Sequence, residues 1–262
     1  MKPQNRYGQI LEHLFKKHFE KGKDTFEFER RELEEACHLL GIERPRNLGD
    51  IPYSFRYRSD FPTVVQKAAP KGSEWIIEGA GKGRYRFRLV RVAKIEPRPD
   101  LAVIKIPDAT PEIVTCYFFS DEQALLAKIR YNRLIDIFLG ITAYSLQNHL
   151  RTTVKGIGQV EVDEIYVGVN RGGSQFIVPI QAKGGKDAIS AVQAAQDIAM
   201  CREKFPRLAC RPVSAQFLDE SRIALFELVD HSGEIRVREE RHYALVPSSE
   251  ISDSDLEFYF QG

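Results

Sequence analysis

The stretch from Gln159 to Asp187 constrains this chain more than any other, because it reads as two β-strands joined by a turn. Val160 to Val169 is dense in β-branched and aromatic residues, Asn170 to Gly173 has turn chemistry, and Phe176 to Ile180 resumes an apolar run. Such a pattern specifies a β-hairpin. Side chains alternate faces along a strand, so Glu161 and Asp163 are expected on one face, and Gln181 and Lys183 on one face of the partner strand. Two acids, an amide and an ammonium group then lie within reach of one another. A hard cation such as Mg²⁺ uses this inventory: it takes one or two carboxylates with water and phosphate oxygens, while a neighbouring lysine stabilises charge or orients water.

These residues resemble the PD-(D/E)xK, or restriction-endonuclease-like, nucleases. That superfamily places an Asp on one strand and Glu-x-Lys, sometimes Gln-x-Lys, on the next. Here Asp163 matches the first acid and Gln181-Ala182-Lys183 matches the tripeptide, with Gly184-Gly185 following at the strand end. The resemblance implies that Asp163, Gln181 and the carbonyl of Ala182 hold Mg²⁺, and that Lys183 orients water and stabilises the phosphorane. Gln181 departs from the commoner Glu. An amide oxygen still binds a metal but adds no charge, and either Glu161 or Glu164 is expected to compensate. Glu122, near the start of a helix that precedes the hairpin, is a further candidate acid, with helix capping as its alternative role. Pro107-Asp108 spells the motif's first pair far upstream, and a turn or strand exit explains it.

Charge is distributed unevenly. Residues 1–98 carry 21 Lys plus Arg against 14 Asp plus Glu, and the remainder carries 17 against 23, within an overall net charge of only +1. A basic segment joined to an acidic one suggests an electrostatic footprint for double-stranded DNA beside a metal-binding domain. At 262 residues and 43% hydrophobic, the chain can bury a substantial core. No apolar run is long enough to span a bilayer and the N-terminus lacks a signal-peptide core, so a cytoplasmic location and no membrane partner are expected. The four cysteines form no C-x-x-C pair and read as reduced thiols.

Tyr7 to Glu20 has the period of an amphipathic helix, Thr25 to Glu29 alternates like a strand, and Arg31 to Leu40 returns to helical spacing before Gly41. A third helix is expected near Asn47 to Arg58, then strands at Trp75 to Glu78 and Arg84 to Val90. This order resembles a winged helix over roughly residues 5 to 92. The resemblance implies that the third helix enters a DNA groove with Arg56, Tyr57 and Arg58, and that the wing meets phosphates through Lys82, Arg84, Arg86 and Arg88. Alternation places the three arginines on one face, and their bland reading is a solvated face of a half-buried hairpin. Lys186, just past the tripeptide, is a further DNA-binding candidate.

Glu96 to Pro99, with two prolines, marks a linker. Ser120 is expected to cap a helix whose apolar face is Leu125, Leu126, Ile129 and Ile137. Ile141 to Thr153 is unusually rich in hydrogen-bonding side chains that suit base edges or phosphates, although His149 reads best as a satisfied core histidine. A helix over Ala188 to Phe205 and strands at 213–217, 223–229 and 242–246 follow. The sequence thus specifies an α/β protein. A winged-helix domain is expected at 1–95, a linker at 96–99, and at 100–247 a nuclease domain with a mixed central sheet flanked by helices. A polar tail from 248 ends like the remnant of a cleavable tag. The activity implied by the resemblance is that of a type II restriction enzyme: Mg²⁺-dependent, sequence-specific hydrolysis of phosphodiester bonds, with a homodimer cutting both strands. A structure-specific repair, recombination or mobile-element nuclease and a DNA-binding regulator with an inactive nuclease fold are the alternatives.

Overall fold

The computed structural model describes residues 5–57, 59–91, 94–118, 121–184 and 187–260, without the side chains of Tyr57 and Asp121. The expectations placed on Arg58, Ser120 and Lys186 lie outside the described residues, as does that on the Tyr57 side chain. Two compact units emerge. One comprises Met1–Ala93 with Thr152–Val160 and Ser190–Val192, and the other Lys94–Arg151, Glu161–Ile189 and Gln193–Gly262. The split near residue 94 therefore does not separate two consecutive pieces of chain: the first unit takes in two later segments.

In the first unit, α1 (Arg6–His18) is followed by β1 (Thr25–Glu29), α2 (Arg30–Leu39), α3 (Asp50–Tyr57), α4 (Thr63–Lys67), β2 (Glu74–Gly79) and β3 (Arg84–Val90). Asn5 caps α1, its Oδ1 accepting from Gly8 N at 2.8 Å. The strands form an antiparallel sheet in the order β1-β3-β2. Phe15, Phe28, Trp75 and Phe87 are buried together between the helices and this sheet, with Ile10, Leu11, Leu14 and Leu33 around them. The short helix α4 was not anticipated.

The second unit contains β4 (Lys94–Ile95), β5 (Val103–Pro107), α5 (Glu112–Thr115), α6 (Asp121–Tyr131) and α7 (Leu134–Leu139). It continues through β6 (Thr142–Val154), β7 (Gly158–Val169), β8 (Gln175–Lys183), β9 (Ile189–Ser190) and α8 (Ala191–Lys204), with the ends of β6, β7, β9 and α8 shared with the first unit. It closes with β10 (Ala209–Cys210), β11 (Val213–Phe217), β12 (Arg222–His231), β13 (Glu234–Val246) and α9 (Asp253–Phe260). Seven strands lie in the order β5-β13-β12-β11-β8-β7-β6, with β10 beside β8. The pairs β13/β5 and β8/β11 are parallel and β7/β8, β11/β12 and β12/β13 antiparallel, which makes the sheet mixed. Helices flank it, as expected for the fold class.

Two local readings change and one holds. The helix expected to run from 120 to 137 breaks, because Asn132 turns its amide inward, donating to Asp108 and Thr110 and accepting from Ala109 N, and Arg133 adopts a φ of 50°. Ile137 consequently lies in α7 and is 47% exposed rather than on the buried stripe. Asp108 bonds Thr110 N just past the end of β5, which is the turn anticipated for Pro107-Asp108. The segment set aside as a tail instead forms α9, whose Tyr259 hydroxyl accepts from Lys105 N on β5 at 2.9 Å.

Candidate functional site

The hairpin forms as its sequence demands, with β7 and β8 in register from Val169 opposite Gln175 to Glu164 opposite Ile180. Asn170 closes the turn, its Oδ1 accepting from Gly172 N and Ser174 N. Beyond Glu164 the ladder changes character. The carboxylate of Asp163, rather than a strand carbonyl, takes the N–H of Ala182 at 2.8 Å. This inserts an acidic side chain between the two strands at the point where the sequence motif ends.

Alternation along β7 separates its acids. Glu164 faces the core beneath α6, fully buried, with Arg130 Nη2 at 2.9 Å and the hydroxyl of Ser145 donating to it. Glu161 lies on the other side with Asp163 and pairs with Arg151 Nη2 at 2.9 Å. Of the two acids left open by the sequence, Glu164 is committed to a structural ion pair and Glu161 shares the face of Asp163.

On β8, Val178, Ile180 and Ala182 pack into the core with Leu125, Leu126 and Ile129 of α6. Gln181 and Lys183 therefore point the other way. Gln181 is only 3% exposed, and its amide is fully engaged: Nε2 donates to Glu161 O and to both oxygens of Asp197, and Oε1 accepts from Gln193 Nε2. Gln193 and Asp197 are four apart on α8 and so share a helix face. Asp197 was missed in the sequence. The available signal was a carboxylate one turn from Gln193 inside the apolar stripe of a buried helix, a placement that needs a polar partner.

The carboxyls gathered here are uncomfortable ones. Burial pushes Asp163 above the ordinary range, and Glu161 adds to the shift, while Ala182 N–H, Lys183 and His149 oppose it. Burial likewise raises Glu122, with Lys183 and His149 opposing and with Asp163 and Asp187 repelling it. Asp197 is driven furthest, by burial and by Asp163, against the Gln181 amide and Lys183. Lys183 and Asp163 thus act on both Glu122, from α6, and Asp197, from α8. Among the described residues no three His, Cys, Asp or Glu side chains converge closely enough to cage an ion by themselves.

No protein-family model, curated protein or solved structure matches the chain. The site must be read from its own geometry.

The nucleic-acid candidates of the first unit are arranged differently from a free basic row. Arg86, on the central strand β3, lies between Glu27 and Glu78 on the flanking strands and pairs with both, at 2.7 and 3.4 Å. Arg88 pairs with Glu78 at 3.1 Å. Arg56 Nε donates to Ile77 O, which holds the stem of its side chain against the sheet. Lys82 and Arg84, at the β2–β3 turn, are exposed. The row is in large part a cross-strand ladder of opposite charges, the arrangement that stabilises neighbouring strands. No helix among the described residues is long and apolar enough to cross a membrane.

Proposed function

We propose that the chain is a Mg²⁺-dependent endonuclease of double-stranded DNA, of the restriction type, with its chemistry at Asp163 and Lys183. The observation that carries this reading is the parted end of β7 and β8, where the Asp163 carboxylate is inserted and perturbed acids surround one lysine. Carboxyls held above their ordinary range by burial and mutual repulsion are groups that a cation would stabilise, so the donor chemistry fits a hard divalent ion. Asp163 and Glu122 would hold it, with water and phosphate oxygens completing the shell. When bound, Mg²⁺ supplies Lewis-acid polarisation of the phosphodiester and a more acidic water.

Lys183 sits where its ammonium balances the acids and can donate to a phosphate oxygen. Gln181 has a different part from the one first expected. With its amide engaged by Asp197, Gln193 and Glu161 O, it orients the end of β8, and the carboxyl absent at position 181 is present one layer back at Asp197. The element order of the first unit, with its β1-β3-β2 sheet, supports a winged-helix reading. There Lys82 and Arg84 would meet phosphates at the wing tip, and Tyr53, 43% exposed on α3, would face DNA.

The test is incubation with plasmid and phage DNA in Mg²⁺, with and without chelator, beside the Lys183→Ala variant. Discrete fragments that vanish with chelator and in the variant support a site-specific nuclease. A smear, or cutting of branched substrates alone, favours a structure-specific enzyme. DNA that shifts on a gel but is never cut in Mg²⁺ or Mn²⁺ removes the enzyme reading.

A further inference from the structure

His149 lies within β6 at a break in its extended backbone. Its φ of 49° lies in the left-handed region, which costs a non-glycine residue energy and persists only where the surroundings enforce it. The consequence is visible in side-chain direction. Successive residues of a flat strand point to opposite faces, yet Asn148 and His149 both reach α6. Asn148 Oδ1 accepts from Arg130 Nη2 at 3.3 Å, and Gln123 Nε2 lies 3.1 Å from His149 Nε2. A local irregularity of this kind on an edge strand re-aims one side chain. The ring is also close enough to Asp163 and Glu122 to perturb both carboxyls.

The hydrogen bond fixes the chemistry of the ring. An amide nitrogen can only donate, so Gln123 donates and His149 Nε2 accepts. Nδ1 then carries the ring N–H. Among the described residues the chain bonds nothing to Nδ1, and the side chain is exposed. An Nδ1–H donor is thus presented on a strained backbone, held by the residue that follows Glu122 on α6.

We infer that His149 touches the substrate, donating Nδ1–H to a phosphodiester oxygen of the nucleic acid held at Asp163 and Lys183. The inference rests on the nuclease reading and adds a contact from β6, outside the hairpin motif. Gln123 is the positioning residue that selects the tautomer.

Asn is the replacement of choice, since it tolerates left-handed backbone and removes the ring. Plasmid cleavage in Mg²⁺ first establishes cutting and maps the cut. Duplexes carrying a single uncharged methylphosphonate at each phosphate flanking the cut are then compared for kcat and KM with wild type and His149→Asn. The variant should melt with wild type and lose about tenfold to a hundredfold in kcat/KM, the size of one hydrogen bond to a charged group. One methylphosphonate position should cost wild type a similar factor and cost the variant almost nothing more. If the Asn variant melts lower, Gln123→Leu, which frees the tautomer without altering β6, must show the same cancellation. A cutting wild type with equal activity in His149→Asn, or penalties that multiply at every position, overturns the inference and leaves the nuclease reading standing. A wild type that cuts nothing in Mg²⁺ or Mn²⁺ overturns both.

Discussion

Glu227 on β12 and Asp197 on α8 are each 1% exposed, and the second unit treats them in opposite ways. Burial pushes Glu227 up, but Arg211 and Arg238 more than offset it and hold the carboxyl below its ordinary range. Arg211 binds it with two parallel bonds, Nε at 2.8 Å and Nη2 at 2.9 Å. Asp197 is as little exposed, lies deeper, and has no guanidinium. It is met by the Gln181 amide and is left far above its ordinary range, with Asp163 as an additional repulsive neighbour. A buried carboxylate spanned by one forked guanidinium, with a second guanidinium on Oε1, is a device of stability. Acids crowded around one lysine cost stability, and carboxyls perturbed in this way are the groups the proposed chemistry would use.

The sharpest way to break this comparison is to neutralise one acid in each place. Asp163→Asn should reduce DNA cleavage by at least about a hundredfold while leaving the denaturation midpoint unchanged or higher, since it removes a disfavoured charge. Glu227→Gln should do the reverse. Stranding two guanidiniums should cost about 3–5 kcal/mol in urea unfolding, with cleavage per folded molecule within a few-fold of wild type. If both substitutions destabilise equally and neither touches cleavage, the division into structural and chemical acids is wrong.

Next in size is the placement of charge between Gln181 and Asp197. Gln181→Glu would bring two carboxylates face to face in a buried space, and cleavage should fall by at least about tenfold. Adding Asp197→Asn restores one acid and one amide in the opposite order and should recover most of the loss. A double variant as inactive as Gln181→Glu alone would show that the amide is needed at position 181 itself.

The pH response sharpens the same contrast. A carboxyl whose folded pKa lies below its unfolded value contributes stability that is present above the unfolded pKa and lost as pH falls through the folded one. For Glu227, whose ordinary value is 4.5, the stability gap between wild type and Glu227→Gln should be fully open at neutral pH. It should close progressively as the solution is made more acidic than that value. Urea titrations of the two proteins from pH 7 to pH 3 would show this. A gap that does not change with pH would assign the loss to packing rather than to charge.

Much of this contrast was written in the sequence, and part of it was not. The hairpin, the placement of Asp163 opposite the Gln181–Lys183 tripeptide, and the helices before and after it follow from period and turn chemistry. Whether Glu161 or Glu164 stands beside Asp163 depended on strand face, and the ion pair of Glu164 with Arg130 joins residues 34 apart. Asp197 was hidden because its partner lies on another element, and helical period reports a face but never what covers it. The arginine row of β3 shows the same limit from the other side. Alternation does put Arg84, Arg86 and Arg88 together, but the acids that neutralise two of them sit on β1 and β2, and only the register of the sheet reveals Glu27 and Glu78 as their neighbours. His149 read as a core residue from its type, and its left-handed backbone on an edge strand has no signature in the local sequence.

The smallest effect concerns a third kind of charged contact, at the sheet edge. Lys105 on β5 pairs with Asp255 of α9 at 2.9 Å near the surface, where solvent screens the interaction and the pair contributes little. The same lysine's backbone N–H is bonded by Tyr259, and this bond matters more than the ion pair. An edge strand presents unpaired N–H groups, and one that is partly shielded must find an acceptor. Tyr259→Phe keeps the ring and removes only the acceptor, so it should cost about 1 kcal/mol, whereas Asp255→Asn should fall within about half that. Equal effects from the two would mean that α9 is held by charge. A measurable loss confined to Tyr259→Phe would show that the segment belongs to the fold, closing a backbone bond that the sheet cannot close alone.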